Sequence, residues 1–432
     1  MKNLKHLMLL LAVATIGITS CKKDDVAQNL IISTIEAQGT SFEDGADVTL
    51  DLNGATTAIG VALNSVITIT FEREVDAGTV NSANIALSND AGSVDVTYNT
   101  TGAVVTLTPS SEFTRGTTYS FSFSGLLAVD GGEFSPTTRT FVTEGRAPVI
   151  VPNESSMIAY WGFDGNAEDA IGVFSGDNIV AITYGDDRFG QGNSTAGFDG
   201  EESIIEVFNG DQLMAADDFT LSFWMKTNST DHINENGDAA GHFVMGLGAF
   251  FGFQFELPGD ISFCKLATRY VVADGTTASE DLFFNGDGQD NTNGGWQGHP
   301  FRADLSGNGG VAAVLKDKWT HVLFSHNAAT KIGTLYLNGE VMQIQDFNLW
   351  PDTDPKHTIT GVAYGGSPGD VEPILAFGFV KSINSPMWAD TPWGDYAKIT
   401  SNHFKGDLDD VRIFSAPFSA DDVSTLYDSE KP

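Results

Sequence analysis

From Val66 onward, apolar and polar residues alternate in short runs, "VITITF", "VDVTY", "AVVTLTP" and "TYSFSFSG", separated by turn residues. A period of two places every second side chain on one face of an extended strand. Runs this short at this spacing predict packed antiparallel sheets, a β-sandwich in particular. No convincing helical period interrupts the region. "GRAPVIVPNES" then carries two prolines and no period, so 146–156 reads as a linker. A second all-β region runs from there to the end. Its last segment, "SADDVSTLYD", predicts a short helix, with Ser419 and Asp422 spaced as a capping box.

Charge and cysteine content narrow the function classes. The chain carries 57 acidic against 22 basic side chains, a net charge of −35. Phosphate recognition needs a basic footprint, so nucleic acid is not an expected partner. The two cysteines are Cys21 and Cys264. "MKNLKHLMLLLAVATIGITS" has a basic start, an apolar run too short for a confident membrane span, and small residues before Cys21, the layout of a secretory signal over 1–20.

"ITSC" resembles the lipobox of bacterial lipoproteins, which implies lipidation of Cys21. The following "KKDD" resembles the tract with which Bacteroidetes export lipoproteins to the outer face of the outer membrane. Residues 21–30 would then be a lipidated tether, leaving the mature chain with Cys264 and no intrachain disulfide. The phrases "ALNSVITITFEREVD", "TVNSANIALS", "VTLTPSSEFTRGTTYSFSFSG" and "TRTFVTEG" together resemble the bacterial Ig-like domain family over 31–145. That family usually serves as a spacer. Asp76 and Asp130 there read as turn aspartates bonded to their own backbone.

The second region carries "AYWGFDGNAEDAIG", "DRFGQG", "DDFTLSFWMKT", "KWTHVLF", "TLYLNGE" and "GDLDDVRIF" in that order. These resemble the LamG-like, concanavalin A-type jelly roll over 157–432, with long loop insertions. The expected fold class is therefore all-β, an N-terminal Ig-like sandwich followed by a LamG-like jelly-roll sandwich.

Seven tryptophans divide between strands and insertions. Trp161, Trp224 and Trp319 fall in strand segments and read as core. Trp296, Trp350, Trp388 and Trp393 fall in insertions rich in Pro, Asp, Asn and Gly, where binding residues concentrate on a rigid sandwich. An indole face suits the axial C–H bonds of a sugar ring, while Asp, Asn and Tyr suit its hydroxyls. The candidate carbohydrate site is Trp388, Trp393, Tyr396, Asp390 and Asp395, with Trp350 and Trp296.

Jelly rolls of this kind often hold calcium, which takes oxygen ligands. Asp164, Asp169, Asp409 and Asp410, on or beside the first and last strands of the resembled fold, are the candidate ligands for a structural Ca2+. The Glu-x-Asp-x-x-Glu string of laminarinase-type hydrolases does not occur; "EESIIE" reads as a strand and His321 as a structural histidine. The resulting expectation is a surface lipoprotein, not an enzyme, that binds a polysaccharide or oligosaccharide. Resemblance also implies a place beside an outer-membrane importer complex. Two alternatives stay open, a surface adhesion or protein-interaction subunit, and a glycoside hydrolase or polysaccharide lyase.

Overall fold

The computed structural model describes residues 28–42, 45–367 and 371–432. Cys21 and the segment expected to be a signal lie outside the described residues. The chain forms two compact units that divide between Pro148 and Val149.

Among the described residues, the first unit is a sandwich of two five-stranded sheets. One sheet orders Asp47–Asp51, Ile32–Thr40, Val66–Phe71, Val104–Pro109 and Val96–Thr101. The other orders Ala58–Val61, Thr137–Thr143, Thr118–Phe123, Ile85–Asn89 and Gly92–Ser93. The period of two decides the burial. Ile67, Ile69 and Phe71 point inward, as do Phe121 and Phe123 from the facing sheet, and they share one core with Ile35, Val105, Leu107 and Phe141. Asp76 accepts from the Gly78 amide at 2.9 Å, and Asp130 pairs with Arg73 beside the turn it closes.

The second unit is a larger sandwich whose sheets have nine and eight strands among the described residues. The nine-stranded sheet contains Met157–Trp161, Phe219–Thr227, Trp319–Asn327, the hairpin Ile332–Leu337 and Glu340–Asp346, and Lys405–Phe414. The first and last of these strands pair antiparallel, Tyr160 opposite Arg412. The eight-stranded sheet includes Ile204–Val207, Leu375–Phe377, His242–Leu247, Phe253–Leu257, Cys264–Val272 and Thr277–Phe284. Between the sheets lie Trp161, Phe223, Phe255, Leu266, Phe284, Phe324, Phe377 and Ile413. All-β with an Ig-like sandwich ahead of a jelly-roll sandwich carrying long insertions is thus the fold observed as well as the fold expected.

Each sheet of the second unit also has an outer face. On the nine-stranded sheet that face is covered by the C-terminal helix Ala420–Glu430, which buries Val423 and Leu426 against Leu323, Tyr336 and Phe414. Ser419 caps it reciprocally with Asp422. Val149 and Val151, expected as linker, pack against this same cluster, and the Ile150 amide bonds Ser429 Oγ at 3.1 Å. Most of the stretch after Pro148 is therefore part of the second unit.

Beneath the helix lies a buried charge network that engages the strand aspartates expected from sequence as cation ligands. Arg188 reaches Asp409 at 2.5 Å and Asp410 at 2.6 Å, and Arg412 reaches Asp410 at 3.0 Å and Glu430 at 2.6 Å. Trp224 Nε1 donates to Glu430 at 2.9 Å. Asp169 accepts from the amides of Tyr160, Ile171, Val173 and Phe174 at 2.8–3.0 Å, which shapes its loop. Asp164 is exposed on a turn. Two arginines already neutralise the strand carboxylates, and Asp169 serves backbone donors. Among the described residues, no group of three or more His, Cys, Asp or Glu side chains is arranged to hold a metal ion.

Candidate functional site

The outer face of the eight-stranded sheet bears polar side chains because its strands alternate. In Phe253–Leu257, Phe253, Phe255 and Leu257 enter the core while Gln254 and Glu256 face outward. Lys265 on the next strand sits opposite Glu256, and Asp281 on the strand after that lies opposite Ala267. Ser279 shares that outward face, opposite Arg269.

One end of this face is walled by the connection 378–404, which leaves the strand Leu375–Phe377 and returns in Lys405–Phe414. Its base is buried at Phe379 and Val380. Glu206 accepts from the Ile383 amide at 3.0 Å and from Asn178 Nδ2 at 2.7 Å. Buried Lys381 donates to the Ser385 carbonyl at 3.2 Å, and burial lowers its pKa against the pull of Asp395. Further along, the Asn402 amide bonds the Trp393 carbonyl at 3.2 Å, while the Asn402 carbonyl accepts from Phe243 at 2.7 Å. Trp388 holds a left-handed backbone conformation, φ 59°, which a bulky residue adopts only where its surroundings enforce it. The Thr391 amide and hydroxyl both donate to the Trp388 carbonyl, at 3.0 and 2.7 Å, and close that turn. A Cβ at Gly394 would come within 2.7 Å of Trp388 Cβ, so the turn needs a glycine there.

The result is a groove of about 420 Å³ lined by Phe243, Phe250, Gln254, Glu256, Lys265, Ser279, Asp281, Trp388, Trp393 and Asn402. Trp388 and Trp393 have ring centroids 5.0 Å apart, and both lie 6.2 Å from Phe243. Trp393 stays 44% exposed, so its ring is available to a ligand. Across the floor, Lys265 Nζ lies 2.7 Å from Glu256 and 3.5 Å from Asp281. Burial works against the Lys265 charge, but Glu256 and then Asp281 outweigh it and hold the pKa above the usual lysine value. Gln254 Nε2 donates to Glu256 Oε2. Gln254 Oε1 is buried and has no hydrogen-bond partner among the described residues.

The sequence-predicted residues separate on this geometry. Trp388 and Trp393 come together as the aromatic wall. Tyr396 is turned away from the groove: its hydroxyl donates to the Glu202 carbonyl at 2.5 Å and its ring packs on Phe379 and His403. Asp395 accepts from the Ala397 amide at 3.1 Å, and Asp390 is an exposed loop residue; neither lines the groove. Trp350 is 3% exposed, packed on Phe347 within the main core, so its expected role as a sugar platform is corrected to core packing. Trp296 lies edge to face on Trp350 and is 46% exposed, in a loop that does not reach the groove. Among the strand tryptophans, Trp161 and Trp224 are buried and Trp319 is half-buried. His321 is buried and shares a 2.8 Å hydrogen bond with Ser222, as expected of a structural histidine.

Sequence reasoning missed the groove floor. The outward residues of "FQFEL", "CKLATRY" and "TASEDLFF" were visible as the polar half of an alternation. Which outer face the helix would cover, and which would stay open, was not.

The bacterial Ig-like domain family matches residues 45–143, within the first unit. No curated protein matches the sequence. Solved structures similar to the chain include the botulinum neurotoxin type G receptor binding domain, at 14% identity and a TM-score of 0.37, covering 63% of this chain and 51% of that one. The serotype D/C binding domain is 13% identical, with a TM-score of 0.39 and coverage of 64% and 52%. A neurotoxin DC binding domain in complex with SialylT is 14% identical, with a TM-score of 0.39 and coverage of 64% and 51%. The match thus spans about half the length of those chains, and similarity this low identifies no ligand for the groove.

Proposed function

We propose that the second unit binds a glycan in the groove between the Trp388–Trp393 wall and the sheet floor, and that the protein is a cell-surface lipoprotein supporting polysaccharide capture or uptake. One observation carries this reading: two adjacent indoles, one nearly half exposed, stand over a floor of side-chain amides, carboxylates and a lysine. Sugar rings need that combination, an apolar face beside directed polar partners. Lipidation of Cys21 would anchor the chain in the outer membrane facing outward, since acylation with more than one chain holds a protein stably. An importer complex beside it is part of the same proposal.

Binding without bond cleavage is the activity expected of this floor. A retaining glycosidase sets two carboxyl groups on either side of the scissile bond, about 5 Å apart, one of them free to donate a proton. Glu256 and Asp281 instead flank a single ammonium on the groove floor, and Glu256 is also engaged by Gln254.

The test is affinity electrophoresis and titration of the purified protein against a panel of polysaccharides, beside Trp393→Ala. Retention on at least one polysaccharide, lost at least tenfold in the variant with its thermal midpoint preserved and no new reducing ends released, is the expected result. Release of reducing ends would replace the reading with a hydrolase. A lyase would announce itself by new absorbance from unsaturated products. No retention on any glycan would remove the reading in favour of a protein contact.

A further inference from the structure

We infer that the groove selects uncharged glycans, read through their hydroxyl donors, over uronic, sialylated or sulfated ones. The inference rests on the glycan-binding reading above and deepens it.

The floor offers acceptors rather than free positive charge. Glu256 and Asp281 are two carboxylates against one ammonium, and Lys265 contacts both. The next cation along the same strand, Arg269, donates to Thr277 Oγ1 at 2.8 Å and Ser279 Oγ at 2.9 Å, and lies over the Phe251 ring. Lys381, at the base of the aromatic loop, is buried against the Ser385 carbonyl. Asn402 and Ser279 add neutral groups. A carboxylate or sulfate placed here would meet a surplus negative charge at short range in a partly desolvated site, where like charges are poorly screened.

Gln254 supplies an independent indication. Its side chain lines the groove, is 3% exposed, and points its Nε2 at Glu256, leaving Oε1 buried with no donor among the described residues. A buried acceptor left unmade is costly, so a ligand that donates a hydrogen bond there gains more than one that cannot. A sugar hydroxyl donates; an ionised carboxylate or sulfate only accepts. At that position a hydroxyl is therefore favoured over an ionised group, in the same direction as the electrostatics of the floor. The −35 net charge acts in the same direction at longer range, repelling polyanions before contact.

The experiment measures the purified protein against neutral polysaccharides (β-glucan, mannan, xylan, galactan) and acidic ones (alginate, polygalacturonate, chondroitin sulfate, heparin), at low and high salt. A matched pair, polygalacturonate and its methyl ester, isolates the charge. The expected result is retention on a neutral polymer, at least tenfold tighter than on any acidic one and unchanged by salt. In Asp281→Asn the ratio of neutral to acidic affinity should fall at least threefold, while Gln254→Leu should weaken the neutral ligand itself. Tighter binding to an acidic polymer than to every neutral one overturns the inference and leaves the glycan reading standing. An unchanged ratio in Asp281→Asn also overturns it. Absence of binding to all of them removes both.

Discussion

Trp296 and Trp350 touch edge to face with centroids 5.9 Å apart, yet one is 46% exposed and the other 3%. Their sequence surroundings, "NGGWQGH" and "FNLWPDT", do not separate them. What separates them is that Trp350 N bonds back to the Phe347 carbonyl and its ring enters the main core, where a Cβ at Gly298 would strike it at 2.0 Å. Truncating a large buried aromatic costs about 3–5 kcal/mol, whereas exposed positions stay within about 0.5 kcal/mol. Trp350→Ala should therefore lower stability by that larger amount and Trp296→Ala hardly at all, as urea titrations will read. Equal effects in the two variants would mean that Trp350 is not a core residue. Residue type thus announced that these loops contained something other than solvent-facing spacer, but a tryptophan's role is decided by contacts dozens of residues away. Trp388 illustrates the same limit: its left-handed turn depends on Gly394 and Thr391, which the composition of the loop shows but does not order.

At the level of elements, period and caps were legible. The strands Phe219–Thr227, Trp319–Asn327 and Lys405–Phe414, and the helix capped by Ser419, follow from alternation and local hydrogen-bonding chemistry. Local rules did not reveal that Arg188, in the "DRFGQG" landmark, crosses the fold to Asp409 and Asp410. An aspartate pair on a strand reads equally well as a cation site or as half of an ion pair, because the partner lies 221 residues away. Arg188 also donates to the Glu430 carbonyl at 2.8 Å and lies 4.4 Å from the Trp224 ring, so it joins its loop to the last strand and to the helix. Removing one member of such a buried set typically costs about 3–5 kcal/mol, because the remaining charges lose their counterion. Arg188→Ala should lower the urea midpoint accordingly, and Arg188→Met with Asp409→Leu should recover much of the loss. A single variant within about 1 kcal/mol of the parent would show that water or neighbouring arginines serve these carboxylates equally well.

Over the whole molecule, ionisable groups and reporters are unevenly distributed. Every histidine among the described residues, and every tryptophan, lies in the second unit. Burial depresses the pKa of His242 and His321 to about 3, and of His299, His326 and His403 to about 4; it is also the leading cause lowering His232. These groups stay neutral in the folded unit but take up protons once unfolded, near the ordinary histidine value of about 6.5. The unfolded state then binds more protons between those limits, so stability is fully present above about pH 6.5 and is lost as pH falls toward about 4. Glu280, Asp407 and Glu430 oppose the trend, since burial raises their pKa values and the folded state takes up their protons first. Six depressed histidines outnumber the three raised carboxylates. Tryptophan fluorescence reports the second unit alone. Its thermal midpoint should drop progressively from pH 7 to pH 5. A midpoint that is flat or rises across that interval would mean the buried imidazoles gain protonation partners that the packing does not show, and the same melts on His321→Gln and His403→Gln would locate which of them does.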